Sequence, residues 1–112
     1  MSDLQGKKVL VVGTGISGVA AANLLYEQGA QIVLLESNTK LTPQEIAARF
    51  DGKTEYDLSL GDLPEKAMDS LDLAVLSPGV PTDLPFVEAM QERGIPIWGE
   101  IELAYRCAKG KL

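Results

Sequence analysis

The segment from Val9 to Gly18 joins a short apolar run to a helix-forming run through glycines spaced G-x-G-x-x-G. Gly13 allows a tight turn, Gly15 lets the backbone approach a diphosphate without a Cβ in the way, and Gly18 allows the helix to pack closely on the strand. The first backbone N–H groups of a helix have no partner within it, so they can bind an anion. The segment therefore predicts a strand, a phosphate-binding turn and a helix, in that order.

A second apolar run, from Gln31 to Glu36, predicts another buried strand that ends in a carboxylate. Glu36 lies 18 residues after Gly18, and dinucleotide-binding folds place an acidic residue about 20 residues after their glycines. Two interpretations of these residues stay open. Either the glycines and the acid bind a nucleotide, or the glycines serve only the turn and Glu36 is a solvated strand end.

The composition limits the chain to one domain, because its 112 residues, of which 46% are hydrophobic, suffice for a single core. The net charge of −6 argues against a nucleic-acid-binding surface, which needs clustered Lys and Arg. No apolar run approaches the roughly 20 residues of a membrane-spanning helix, and the first residues lack the pattern of a secretory signal. We therefore expect a cytoplasmic protein without nucleic-acid or membrane partners.

Predicted strands and helices alternate along the chain, which is typical of an α/β fold. We expect a Rossmann-like open parallel sheet of about five strands with helices on both faces. The predicted strands cover residues 7–12, 31–36, 54–58, 71–76 and 95–98. The predicted helices cover residues 17–28, 43–50, 64–70 and 85–93, and a last helix begins at residue 100. Helical spacing predicts that the last helix buries Ile101, Ala104, Tyr105 and Ala108.

The chain offers few groups for catalysis. It has no histidine and one cysteine, Cys107, so neither an internal disulfide nor a histidine-based zinc site can form. Two carboxylate pairs are conceivable acid–base groups: Asp69 with Asp72, and Glu100 with Glu102. The first pair flanks a predicted strand start, and the second lies in the first turn of a predicted helix, where the helix dipole favours acids. We predict no catalytic residue and no metal ligand, and packing roles for Cys107 and Trp98.

Ligands of open parallel sheets bind beyond the carboxyl ends of the strands, so the loops 13–18, 36–38 and 77–81 should converge. Three motifs at or near these ends are residues 5–18, the sequence Leu-Ser-Pro-Gly-Val-Pro at 76–81, and Gly-Glu-Ile-Glu-Leu-Ala at 99–104. Together they resemble the N-terminal domain of the Mur ligases, and the resemblance extends over residues 1–112. It implies a single UDP-sugar-binding domain, with the family's central ATP-binding domain and C-terminal domain outside this chain.

The resemblance also implies roles for individual residues. The diphosphate would be bound by residues of the glycine loop and the helix start: Thr14, Gly15, Ile16 and Ser17. The uracil would be bound at the end of the second strand, by Glu36, Ser37 and Asn38. The other side of the site would be closed by Ser77, Pro78 and Gly79. Family members often carry Asp where this chain has Glu36, so the exact uracil contact is not implied.

Within the family, the resemblance is strongest to the ligase that adds D-glutamate to UDP-N-acetylmuramoyl-L-alanine during peptidoglycan precursor synthesis. That reaction uses ATP and Mg²⁺, and an ATP-binding loop of the G-x-x-x-x-G-K-[ST] type does not occur in the sequence. The resemblance therefore implies a chain that binds the UDP moiety without a cofactor of its own, while D-glutamate and ATP bind to the missing domains. We expect no ligase activity from the chain alone.

Two other functions compete with this interpretation. An NAD(P)-binding domain of an oxidoreductase or a regulatory sensor would also use the glycines and Glu36, which can bind a ribose hydroxyl. The Ser-Pro-Gly-Val-Pro run at residues 77–81 argues against it. An interaction module would keep the fold without binding a nucleotide at all. Titration with uridine nucleotides and NAD in parallel separates the three.

Overall fold

A parallel five-stranded sheet forms the centre of the computed structural model, with its strands in the order β3-β2-β1-β4-β5. The structure describes residues 4–13, 15–50, 54–61, 63, 65–76, 85–99 and 101–105, without the side chains of Ser17 and Glu65. The strands are β1 (Lys8–Val12), β2 (Gln31–Glu36), β3 (Asp57–Leu60), β4 (Leu73–Leu76) and β5 (Ile97–Gly99). The helices are α1 (Ile16–Glu27), α2 (Pro43–Ala47), α3 (Glu65–Asp69) and α4 (Pro85–Glu92), and residues 101–105 form a helical segment, α5.

The three inner strands are buried on both faces, as their continuous apolar runs predict. Every residue of β4, four of five in β1 and five of six in β2 are buried. Helices on both faces of a parallel sheet produce this pattern, because no face of an inner strand meets water. The strand order reverses between β1 and β4, which makes the sheet doubly wound. The predicted fold class is confirmed.

Each face of the sheet has its own core. One core contains Leu25 of α1, Ile46 of α2 and Leu103 of α5, and Trp98 packs against it, as predicted. The other core contains Met68 of α3 together with Val87 and Met90 of α4. Helices α1, α2 and α5 therefore cover one face, and α3 and α4 cover the other. No helix within the described ranges is long and apolar enough to cross a membrane.

The helix ends follow local sequence signals. Helix α2 begins after Thr42, whose Oγ1 accepts the backbone N–H of Glu45 at 3.1 Å, with Pro43 in the first turn. A threonine N-cap with proline in the first turn is a local signal for a helix start. Helix α1 ends before Gly29, which adopts a φ of +86°, a backbone conformation that glycine adopts at little cost.

Helix α2 ends at Ala47 rather than at residue 50, and β5 covers Ile97–Gly99 rather than residues 95–98. Two further predictions about the elements are wrong. The third strand covers Asp57–Leu60 rather than residues 54–58, because pairing with β2 places Asp57 beside Val33. The rotation of α5 also differs: Leu103 is buried, whereas Ile101, Ala104 and Tyr105 are exposed. Leu103 belongs to the core of the α1 face. Ala108 and Cys107 lie outside the described residues.

Candidate functional site

The glycine loop turns the chain sharply at the carboxyl end of β1. Gly13 has a φ of +97°, a backbone conformation that residues with a Cβ rarely adopt. Its N–H donates to the carbonyl of Leu35 at 2.8 Å, so the turn starts only after the last contact with β2. Gly18 is buried in the first turns of α1, where its small size suits close packing on the sheet.

The start of α1 is open to solvent. Gly15 is the N-cap and offers no side chain to the first N–H groups, and the first turn contains no acidic residue. A Cβ built on Gly15 would have no heavy atom within 4 Å. Gly15 and Ile16 are exposed. Among the described residues, no side chain caps the partial positive charge of this helix N-terminus.

A carboxylate is held at the end of the neighbouring strand β2. The side chain of Glu36 is only 9% exposed, and its Oε2 accepts the backbone N–H of Asn38 at 2.9 Å. The Asn38 side chain in turn accepts the N–H of Lys40 at 3.1 Å. Ser37 and Asn38 are exposed. These bonds fix the orientation of the Glu36 carboxylate relative to the turn that follows β2.

The strand register brings the glycine loop and Glu36 to one edge of the sheet. Val12 pairs with Leu35 of β2 on one side and with Leu76 of β4 on the other. The carboxyl ends of β1, β2 and β4 therefore lie side by side at one edge of the sheet. The strand order reverses at this place, between β1 and β4. Ser77, Pro78 and Gly79 follow Leu76 but lie outside the described residues, as do Thr14 and the side chain of Ser17.

A groove of about 650 Å³ runs from the start of α1 along its outer side. Its lining residues are Gly15, Ile16, Val19, Ala20, Asn23 and Arg49. Arg49, just after the end of α2, lines this groove together with residues of α1. The sequence contains no signal for this pairing, because Arg49 belongs to no motif. Asn23, at the far end of the groove, accepts a hydrogen bond from the Thr54 hydroxyl.

The carboxylates Asp69 and Asp72 have structural contacts. Asp69 forms an ion pair with Arg93, with Nε and Oδ1 2.9 Å apart, which links α3 to the residue after α4. Asp72 Oδ2 accepts the backbone N–H of Lys8 at 2.9 Å. Lys8 begins β1, so this contact lies at the amino edge of the sheet, opposite the glycine loop. Among the described residues, no three His, Cys, Asp or Glu side chains could hold a metal ion together.

We expect Asp69→Ala to lower the free energy of unfolding by at most about 1 kcal/mol, because exposed ion pairs contribute little. Asp69 is 68% exposed in the pair with Arg93. Chemical denaturation measures the change. A clearly larger loss would show that this pair contributes more than exposed ion pairs usually do.

The chain is similar to known ligases. Residues 7–99 match the family described as Mur ligase MurD-like, N-terminal domain. A UDP-N-acetylmuramoylalanine–D-glutamate ligase of Lachnospira eligens is 46% identical over 110 residues, which are 98% of this chain and 24% of that ligase. The same ligase of Lachnoclostridium phytofermentans is 47% identical over 107 residues, 96% of this chain and 24% of the relative. The chain thus spans about a quarter of the length of these relatives.

A solved structure shares the fold. Shikimate dehydrogenase from Aquifex aeolicus superposes with a TM-score of 0.55 over 93% of this chain and 46% of its own, at 18% sequence identity. At this identity the likeness shows a common Rossmann-like architecture and does not extend to a ligand. Function has to be inferred from the site itself.

Proposed function

This chain belongs to the family of MurD-like N-terminal domains of Mur ligases, and we propose that it binds the uridine diphosphate part of UDP-N-acetylmuramoyl-L-alanine. The observation that carries the proposal is the placement of the open α1 N-terminus and the oriented Glu36 carboxylate at neighbouring strand ends. The first group suits a diphosphate and the second suits a base that donates a hydrogen bond.

The diphosphate is proposed to bind at the start of α1. The N–H groups of Ile16 and Ser17 lie in the first helical turn, where they have no acceptor within the helix. Gly15 leaves the approach open because it has no side chain. By family resemblance, Ser17 would add a hydroxyl donor and Thr14 would line the diphosphate. Arg49 also lines the groove that begins at Gly15.

The uracil is proposed to bind at Glu36. A carboxylate only accepts hydrogen bonds, and the imide N–H of uracil only donates one, so the two are complementary. The bond from the Asn38 N–H to Oε2 orients the carboxylate before the ligand arrives, which lowers the entropic cost of binding. Ser37 and Asn38 would face the base, and Ser77, Pro78 and Gly79 would close the other side.

The whole enzyme is proposed to be the ligase that joins D-glutamate to UDP-N-acetylmuramoyl-L-alanine in peptidoglycan precursor synthesis, in the cytoplasm. ATP and Mg²⁺ would activate the alanine carboxylate as an acyl phosphate. The donor groups of the described residues do not fit a metal ion, and the sequence has no G-x-x-x-x-G-K-[ST] loop. We therefore assign ATP, Mg²⁺ and D-glutamate to the parts of the ligase beyond this chain.

The proposal is tested by titrating the ¹⁵N-labelled chain with UDP, UDP-N-acetylmuramoyl-L-alanine and NAD in parallel. We expect amide shifts at residues 15–18 and 36–38 with both uridine ligands, and weaker or no shifts with NAD. Stronger binding of NAD than of UDP would replace the proposal with a dinucleotide-binding function. The absence of shifts with all three ligands would favour an interaction module.

Glu36→Gln should change the base preference of the site. The carbonyl of the new side chain keeps an acceptor for the Asn38 N–H, while its amide group becomes a donor that opposes the uracil imide. We expect UDP affinity to fall about 10- to 100-fold, because hydrogen bonds to charged groups contribute about 1.5–3 kcal/mol. CDP should bind better than before, since cytosine N3 accepts a hydrogen bond. Calorimetry with the two nucleotides measures both changes.

Glu55→Gln is the matched control for this experiment, because exposed Glu55 precedes β3 at the opposite edge of the sheet and its substitution makes the same change in charge. It should leave both affinities unaltered. If Glu36→Gln bound UDP as tightly as the unsubstituted chain, Glu36 would not contact the base.

A further inference from the structure

The end of β2 is held between two glycines that belong to its neighbouring strands. The carbonyl of Leu35 accepts the N–H of Gly13 at 2.8 Å. The carbonyl of Glu36 accepts the N–H of Gly61, also at 2.8 Å, directly after Glu36 has paired with Leu60 of β3. We propose that Gly61 positions the Glu36 carboxylate for the base of the nucleotide; this inference rests on the proposed function.

Gly61 has a backbone conformation that favours glycine. Its φ is +90°, in a region that residues with a Cβ adopt only under strain. Strand β3 ends at Leu60, so this conformation follows directly after the last residue of the strand. Gly61 is half-buried.

The turn that follows β2 lies against Gly61. We call residues 37–41 the β2 turn. A Cβ built on Gly61 would lie 3.3 Å from Cγ2 of Thr39, closer than the 3.4–4 Å of an ordinary van der Waals contact. The β2 turn can therefore keep its position only because Gly61 has no side chain, and a larger residue has to displace Thr39.

The β2 turn is closed by its own hydrogen bonds, so a displacement of Thr39 is passed on to Asn38. The Oδ1 atom of Asn38 accepts the N–H of Lys40 at 3.1 Å, and its carbonyl accepts the N–H of Leu41 at 3.2 Å. The Asn38 N–H donates to Oε2 of Glu36 at 2.9 Å. A shift of the turn at Thr39 therefore changes the orientation of the Glu36 carboxylate.

The orientation of this carboxylate affects one base more than another. The imide N–H of uracil donates a hydrogen bond to a carboxylate, whereas N3 of cytosine only accepts one. A carboxylate held in place therefore favours UDP over CDP. In this role Gly61 contributes to the choice of base without touching the ligand.

Gly61→Ala tests the proposal by calorimetry with UDP and CDP. We expect the affinity for UDP to fall about threefold to tenfold and that for CDP to fall less than about twofold, because one hydrogen bond to a charged group is weakened. The new methyl group meets Thr39 and shifts the β2 turn. Unchanged UDP affinity would overturn the proposal, and so would equal losses for the two nucleotides.

Gly61→Asn is a second variant with less backbone strain, because Asn adopts a positive φ more readily than Ala. It keeps the Cβ that meets Thr39, so we expect the same selective loss of UDP affinity. A Gly61→Asn variant that bound UDP like the unsubstituted chain would also overturn the proposal.

Gly94→Ala is the matched control for backbone strain. Gly94 has a φ of +74°, and a Cβ there meets no heavy atom within 4 Å. It lies between α4 and β5, at the edge of the sheet opposite the proposed site. Gly61→Ala and Gly94→Ala should each lower the melting temperature by about 4–8 °C, but Gly94→Ala should leave both affinities unaltered. Equal losses of UDP affinity in the two variants would assign the effect to stability and refute the proposal.

The double variant Gly61→Ala/Thr39→Ala tests the contact itself. It keeps the backbone strain at Gly61 and removes the Cγ2 atom that the new Cβ meets. We expect it to bind UDP within about twofold of the Thr39→Ala single variant, as the coupling between neighbouring residues is removed. A double variant that lost affinity as Gly61→Ala does would show that Thr39 does not transmit the effect.

The amide resonance of Asn38 separates this inference from the proposed function, because it is measured without ligand. It should move in Gly61→Ala and stay in place in Gly94→Ala, since only the first substitution disturbs the bond to Glu36. An unmoved resonance in Gly61→Ala would refute this inference alone. Failure of the unsubstituted chain to bind UDP would refute the proposed function, while the Asn38 resonance would still show whether Gly61 holds the carboxylate.

Discussion

Gly15→Asp is expected to abolish measurable UDP binding at micromolar ligand and to leave the fold at least as stable as before. The substitution places a carboxylate at the N-cap of α1, where the diphosphate is proposed to bind. Two negative groups about 4 Å apart near a protein surface repel each other by a few kcal/mol, of which about 2–3 kcal/mol should survive screening by salt. That repulsion weakens binding about 30- to 150-fold.

Stability should not fall, because the backbone and the space at Gly15 both accept a side chain. Its φ is −71°, which any residue can adopt, and a Cβ there meets no heavy atom within 4 Å. Asp is a favoured N-cap residue, and its negative charge at the helix N-terminus stabilises the folded state by about 0.3–1 kcal/mol. The melting temperature of Gly15→Asp should therefore equal or exceed that of the unsubstituted chain.

Gly15→Asn is the matched control, because Asn has the shape and the capping ability of Asp without its charge. We expect it to lose less than about tenfold in UDP affinity, so the difference between the two variants isolates the electrostatic effect. Calorimetry and thermal unfolding measure both quantities. If Gly15→Asp bound UDP normally, the α1 N-terminus would not be the phosphate site.

Leu10→Ala is expected to cause the largest loss of stability among these substitutions. Leu10 is fully buried in the central strand β1, where it pairs with Val33 on one side and Ala74 on the other. Truncating a fully buried leucine removes its hydrophobic contribution and leaves a cavity, which together cost about 2–5 kcal/mol. The free energy of unfolding of a domain of this size is about 5–15 kcal/mol in total, so the loss is a large fraction of the stability.

Leu58→Ala makes the same chemical change in the edge strand β3, where Leu58 is only half-buried. We expect it to lower the free energy of unfolding by less than half as much as Leu10→Ala does, because neighbouring side chains and solvent can partly fill the space. Urea denaturation of both variants measures the difference. Equal losses would mean that the edge strand is packed as tightly as the centre of the sheet.

The parts of the fold that depend on neighbours in sequence are predictable. The bounds of β2 match the prediction from its apolar run, Gln31 to Glu36, because a strand covered on both faces needs apolar residues throughout. Thr42 and Pro43 begin α2 through contacts within four residues. The turn at Gly13 follows from the conformational freedom of glycine.

The predictions that fail depend on distant partners. The spacing of Ile101, Ala104 and Tyr105 correctly predicts a helix but not which side of it meets the core. That choice depends on packing against residues distant in sequence, in the core of the α1 face where Leu103 lies. The bounds of β3 depend on pairing with β2, because an edge strand with half-buried residues has a weak sequence pattern.

For the proposed nucleotide site, the sequence by itself determined which groups are available: the glycine turn, the helix N-terminus behind it and an acid at the end of the next strand. These are set by local backbone chemistry, which acts over a few residues. Only the tertiary structure decided that Arg49 lies beside α1 and that Ile101 faces outward. Such placements depend on the register of the sheet and on how helices pack across it, and no short stretch of sequence encodes either.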